Sequence, residues 1–274
     1  MTEELRKDIG GPSYHPNAAV VDGYVIKVKG RPSNQRCLIY FHGGAALAGT
    51  AEEHNYYCWR MAVDFDATII NVNYRLAPEH KVPCGIDDGY ASVKWAIAKA
   101  SELGIDPNRI ATIGESGGGY IVGGVSMRLG ERNEGGLIKF GFHLIPMVTN
   151  AILLKPDSEL DEMGHMMKAM SKEIYEALGD YSALEAKNFN DKWTFTMCLD
   201  DDLCKKCPPA VVLTGEFDDC LIGAKETAEI YRRNNNLLVY GSQRGSHHGH
   251  YFNPKHCRTD AWQKAVTEIC KKYL

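Results

Sequence analysis

The sequence predicts an α/β fold, a mostly parallel central sheet flanked by helices, and three observations carry that reading. Short apolar segments alternate with amphipathic helical patterns along most of the chain. Several of these segments are Val- and Ile-rich runs without polar alternation, as expected for parallel strands covered on both faces. At 274 residues the chain can bury a substantial core, and a single domain over residues 1–274 is the expected organisation.

Strands are predicted, in order, at Tyr24 to Lys29, Cys37 to Phe41, Ala67 to Asn73, Arg109 to Gly114, Lys139 to Pro146, Ala210 to Gly215 and Leu237 to Gly241. Between them, Asp88 to Leu103 sets Tyr90, Val93, Ile97 and Ala100 on one helical face. The last helix does the same with Trp262, Val266, Ile269 and Tyr273. The alternation breaks over Val148 to Pro208, which is predicted as an insertion. Its helix, Ser158 to Leu178, aligns Met163, Met167, Met170, Ile174 and Leu178 in one stripe. Methionine adapts to irregular apolar shapes, and the insertion follows a strand whose carboxyl end should open onto the crevice of such a sheet. The segment 148–208 is therefore expected to cap a substrate site.

Composition narrows the function classes. A net charge of −4 argues against a nucleic-acid surface. No apolar run approaches the roughly 20 residues a bilayer span needs, and Met1 to Asp8 mixes acids and bases, so a cytoplasmic chain without a membrane span is expected. Nine cysteines scattered through strands and helices fit reduced thiols better than a disulfide framework. Cys204-Lys205-Lys206-Cys207 has metal or redox spacing, but no matching second pair exists. Neither a metal nor a cofactor is expected.

The chemistry centres on Ser116. It lies in Gly114-Glu115-Ser116-Gly117-Gly118, between an apolar strand and a helix-like stretch, where a tight strand-to-helix turn projects a nucleophile. The five-residue pattern arises by accident in roughly one chain in ten of this composition, so its placement carries the weight. A second motif, His42-Gly43-Gly44-Ala45, ends another predicted strand. Acyl transfer builds negative charge on a carbonyl oxygen, and backbone N–H groups fixed in advance stabilise that charge well.

These stretches resemble the hormone-sensitive-lipase-like family of α/β-hydrolases, which includes esterases and arylacetamide deacetylase. The resemblance also rests on Asn73-Tyr74-Arg75-Leu76-Ala77-Pro78-Glu79-His80, on Asp87-Asp88, and on Pro208 to Asp218, all in the family's order. It implies an α/β-hydrolase fold with a helical cap insertion and a shortened amino-terminal cap. The implied catalytic residues are Ser116, Asp218 and His248, with Gly43, Gly44 and Gly117 as the oxyanion hole. Asp218 is preferred over Asp219 by its spacing from Glu216. His248 is preferred over His247 and His250 by the Gly-x-x-His-Gly pattern from Gly245 to Gly249. A metal site built from those three histidines is the other functional reading of that loop, although no carboxylate or cysteine lies close in sequence.

The chain departs from the family in carrying Ala45 in place of the third glycine and Gly117 in place of a frequent alanine. His42, Arg75, Glu79, His80 and Asp88 are expected to brace the oxyanion loop and its neighbouring turns. The resemblance implies hydrolysis of small, short-acyl esters without a cofactor. Amide or formamide hydrolysis is the alternative, and a non-catalytic small-ligand receptor a more distant one. A homodimer paired through the edge near Leu237 to Gly241 is also implied.

Overall fold

The computed structural model describes residues 2–9, 21–147, 153, 155–178, 199–249 and 259–274. Among these residues eight strands form one sheet: β1 (Thr2–Ile9), β2 (Val21–Val28), β3 (Gln35–Phe41), β4 (Ala67–Asn73), β5 (Ile105–Glu115), β6 (Gly141–Leu144), β7 (Ala210–Phe217) and β8 (Leu237–His247). Their order is β1-β2-β4-β3-β5-β6-β7-β8. The first two strands pair antiparallel, and every pairing from β4 to β8 is parallel.

Each parallel pair needs a crossover, and helices supply it. One face is covered by α2 (Cys84–Ala98), α4 (Gly117–Glu131) and α7 (Leu221–Arg233), the other by α1 (Ala51–Phe65) and α8 (Thr259–Tyr273). Strand alternation divides β3 between the two cores. Cys37, Ile39 and Phe41 pack with α2 and α4, while Leu38 and Tyr40 pack with α1. All five are fully buried, and each large side chain among them contributes about 1.5–3 kcal/mol. Helix α1 starts sharply because Thr50 and Glu53 cap it reciprocally, and it stops at Asp66, which is left-handed.

The remaining helices are α3 (Ala100–Leu103), α5 (Glu162–Leu178) and α6 (Asp201–Lys206). No helix among the described residues is long and apolar enough to cross a membrane.

Every predicted strand is present, Ala67–Asn73 with the expected bounds and the others with one or both ends shifted. The expected helix Asp88 to Leu103 begins earlier, at Cys84, and breaks at Lys99 into α2 and α3. Strand β1 was not expected. Five of its eight residues are charged, so it offers no apolar run, yet its backbone pairs with β2 along the whole length. The methionine stripe is only partly realised. Leu178 is buried and Ile174 half-buried, but Met170 is 44% exposed; the side chains of Met163 and Met167 lie outside the description. The end of α5 is fixed by the Val82 N–H donating to the Leu178 carbonyl at 3.0 Å. Much of 148–208 lies outside the described residues, as do His15, His250 and His256.

Candidate active site

The chain winds from β3 to β4 on one side, then returns to place β5 on the other side of β3. Such a reversal leaves a crevice beyond the carboxyl ends of the strands. The loop after β3 carries His42 to Ala46, and the turn after β5 carries Ser116.

Ser116 has φ 52° and ψ −115°, a region that L-residues rarely occupy. The bend is that tight because α4 starts at the next residue. Gly118 makes it feasible, since a Cβ there would lie 1.9 Å from the Phe41 carbonyl oxygen. The Ser116 amide donates to the Leu144 carbonyl at 3.0 Å, and its carbonyl accepts from Met147 at 3.1 Å, so the end of β6 and the residues just after it hold the turn from both sides.

Ser116, His248 and Asp218 come together in one hydrogen-bonded run. Ser116 Oγ lies 2.9 Å from His248 Nε2, and His248 Nδ1 lies 2.9 Å from Asp218 Oδ1. An ionised carboxylate only accepts, so Nδ1 carries the proton, and Nε2 is left to accept from the serine hydroxyl. Asp218 is buried just past the end of β7, and Oδ1 also accepts the Cys220 amide at 2.7 Å. Burial opposes a charge on His248, but hydrogen bonds and charge from Asp218 and Cys220 outweigh it and raise the ring's pKa. Asp219 is exposed and His247 is turned toward Phe217, so neither joins the run.

The glycine loop corrects one expectation. Gly43, expected to offer its amide to a substrate oxygen, donates it at 2.5 Å to Glu115 Oε1 and so leaves the donor set. Among the described residues the amides of Gly44, Ala45 and Gly117 have no acceptor. A Cβ on Gly117 would meet the Ala45 nitrogen at 2.6 Å and the Ala46 nitrogen at 2.5 Å, so this loop and the serine turn are in close contact. Gly44 itself has φ 109°, and a Cβ there would collide with the Ala48 carbonyl.

Three groups brace the loop. His42 Nδ1 donates to the Gly43 carbonyl at 2.8 Å, and the His42 ring stacks on Tyr74, whose hydroxyl donates to the His42 carbonyl at 2.7 Å. Burial lowers the His42 pKa to about 4, so the ring is neutral. Glu115 is the third. Burial raises its pKa to about 8, against the hydrogen bonds it receives from Tyr40 and Gly43. Arg75 and Asp88 form a two-pronged ion pair at 2.7 and 2.8 Å under the adjacent turn, as expected. Glu79 and His80 are exposed, and among the described residues neither side chain reaches the oxyanion loop, contrary to expectation.

Sequence reasoning passed over Glu115 and Ala45. Glu115 stands at the unspecified position of the serine motif, and only its burial reveals its use. Cys204 and Cys207 are both buried, and burial raises their thiols to about 11 and about 12, which fits packing rather than chemistry.

The profile of the alpha/beta hydrolase fold matches residues 38–252. The chain belongs to the α/β-hydrolase fold family. Within that family it is hormone-sensitive-lipase-like. It is 28% identical over 181 residues to the ethyl acetate hydrolase of Pseudomonas putida, which covers 66% of this chain and 55% of that protein. Carboxylesterase NlhH of Mycobacterium tuberculosis is 44% identical over 88 residues, 32% of this chain and 28% of that protein. The chain thus matches about half the length, or less, of these curated relatives. In fold it resembles EstE1, a thermophilic carboxylesterase cloned from a metagenomic library. The TM-score is 0.82 at 23% identity, covering 100% of this chain and 89% of that one.

Proposed function

We propose that this member of the α/β-hydrolase family is a carboxylic-ester hydrolase that cleaves small, short-acyl esters through an acyl-enzyme. The observation that carries the reading is the run from Ser116 Oγ through His248 to Asp218, anchored on a strained turn beside unengaged backbone amides. A serine hydroxyl is a weak nucleophile at neutral pH, so a base must take its proton as it attacks. His248 takes that proton, and the buried Asp218 holds the ring in the right tautomer and stabilises its cation. His248 then returns the proton to the leaving alkoxide, and water repeats the cycle on the acyl group.

The oxyanion formed in both steps is assigned to the amides of Gly44, Ala45 and Gly117. Each such donor is worth roughly a hundred- to a thousandfold in turnover. The small-ester assignment is supported by the ethyl acetate hydrolase among the relatives, and 148–208 is proposed as the cap over the acyl group. An arylacetamide deacetylase-like protein of mouse, 29% identical over 127 residues, keeps amides as the alternative substrate class.

The test is hydrolysis of nitrophenyl esters from acetyl to dodecanoyl by the unaltered protein and by Ser116→Ala, with a matched anilide alongside. Fast cleavage of short esters, lost by several orders of magnitude in Ser116→Ala, is the expected result. Equal rates for the two proteins would remove Ser116 from the chemistry. A faster anilide reaction would move the assignment to amides.

A further inference from the structure

Cys220 has no part in the proposed hydrolysis, yet it touches the site. Its Sγ lies beside His248: one donor atom from each of Asp218, Cys220 and His248 lies within 4.8 Å of the others. A thiolate, an imidazole nitrogen and a carboxylate oxygen are the donor types of a three-ligand zinc site with an open fourth position. Asp218 supplies a second indication. The residue is 5% exposed, and while Oδ1 holds the Cys220 amide and His248, Oδ2 is buried with no hydrogen-bond partner among the described residues. Cys220 and His248 are half-buried, which leaves a way in from solvent.

We infer that Asp218, Cys220 and His248 form an inhibitory seat for a soft divalent cation such as Zn²⁺. Ligands around tetrahedral zinc sit about 3.5 Å apart, so the three donors need to close by roughly an ångström, within the reach of side-chain rotation. The ion takes Cys220 Sγ, a carboxylate oxygen of Asp218 and a ring nitrogen of His248, Nδ1 being the one that faces Asp218. The thiol proton goes to solvent, the Nδ1 proton passes to Nε2, and Oδ1 keeps the Cys220 amide. With Nδ1 on the metal, the ring proton sits on Nε2, which then donates toward Ser116 instead of accepting from it. The base is thereby removed while the fold stays intact. The inhibitory consequence rests on the proposed hydrolase reading; the seat itself does not.

Two measurements test it. Zn²⁺ titrated against ester turnover should inhibit reversibly, with full recovery on chelation, while equal Mg²⁺ leaves the rate unchanged. Cys220→Ala should need at least tenfold more Zn²⁺, since even an outer-shell partner is worth about 10- to 100-fold in metal affinity. Independently of activity, Cd²⁺ added to Ser116→Ala should give a thiolate charge-transfer band in the ultraviolet that is lost in Ser116→Ala/Cys220→Ala. A band that persists without Cys220 would put the metal elsewhere and overturn the seat, as would inhibition equal in the unaltered protein and Cys220→Ala. If the band behaves as expected but no ester is cleaved, the seat stands and the hydrolase reading fails.

Discussion

Replacing Glu115 by glutamine tests the electrostatics of the loop that carries the proposed oxyanion site. The carboxyl is fully buried, and burial raises its pKa from 4.5 to about 8. In the unfolded chain it ionises near 4.5, so between those values the folded state holds a proton that the unfolded state has lost. A folded pKa raised in this way gives stability that is complete below pH 4.5 and declines as pH rises toward 8. At about 1.36 kcal/mol per pKa unit, the loss approaches roughly 4–5 kcal/mol, a large part of the 5–15 kcal/mol typical of a domain.

Glutamine keeps an oxygen for the Gly43 amide but has nothing to ionise. The assay is denaturant unfolding of both proteins from pH 4 to 9, read as the difference between them. Buried His42 and His143, both lowered to about 4, also make stability depend on pH, but they are common to both proteins and cancel. Glu115→Gln should equal the unaltered protein below pH 4.5, gain on it by several kcal/mol up to pH 8, and hold that gap above. Parallel curves would refute the reasoning, because they would mean that the carboxyl ionises in the fold as easily as in water.

Ester turnover should fall as pH drops, because His248 is a base only when neutral; with its pKa raised, the acid limb of kcat/KM should lie above 6.5, and a limb at or below that value would contradict the electrostatics described. Gly117→Ala brings a methyl to 2.5–2.6 Å from the Ala45 and Ala46 nitrogens, so kcat should drop about tenfold or more. Adding Ala45→Gly should recover part of it by freeing the loop from its φ of 57°. Steady-state kinetics on an acetyl ester read both variants. Asp88→Ala removes the two-pronged acceptor of the Arg75 guanidinium and should cost about 3–5 kcal/mol in denaturant unfolding. A second copy pairing along β8, which lies at an edge of the sheet, should double the mass seen by light scattering.

Local chemistry made much of this legible from sequence. The apolar runs of β3, β4 and β5 announce themselves because both faces are buried, and the serine turn needs glycines at fixed offsets. Strand β1 was hidden because backbone pairing at an edge leaves no hydrophobic pattern. The engagement of the Gly43 amide was hidden because counting positions in His42-Gly43-Gly44-Ala45 cannot show which N–H a buried carboxyl already holds. Cys220 gave no signal at all, since its contact with His248 spans two strand ends. The exchange of Ala45 and Gly117 was visible as two departures but not as one contact. Only the packing shows that a methyl at 117 would press on the amides of 45 and 46.

The backbone at Ser116 carries a wider implication. A residue held at φ 52° and ψ −115° gives up about 1–3 kcal/mol that glycine would not. Glycine is therefore the residue that folding alone would select at this position, and serine persists there against that preference. A library screened only for heat resistance should drift toward Ser116→Gly, producing sturdier molecules with an empty elbow. Stability and chemistry compete for the same backbone angle, and a screen that measures only one of them will erase the other.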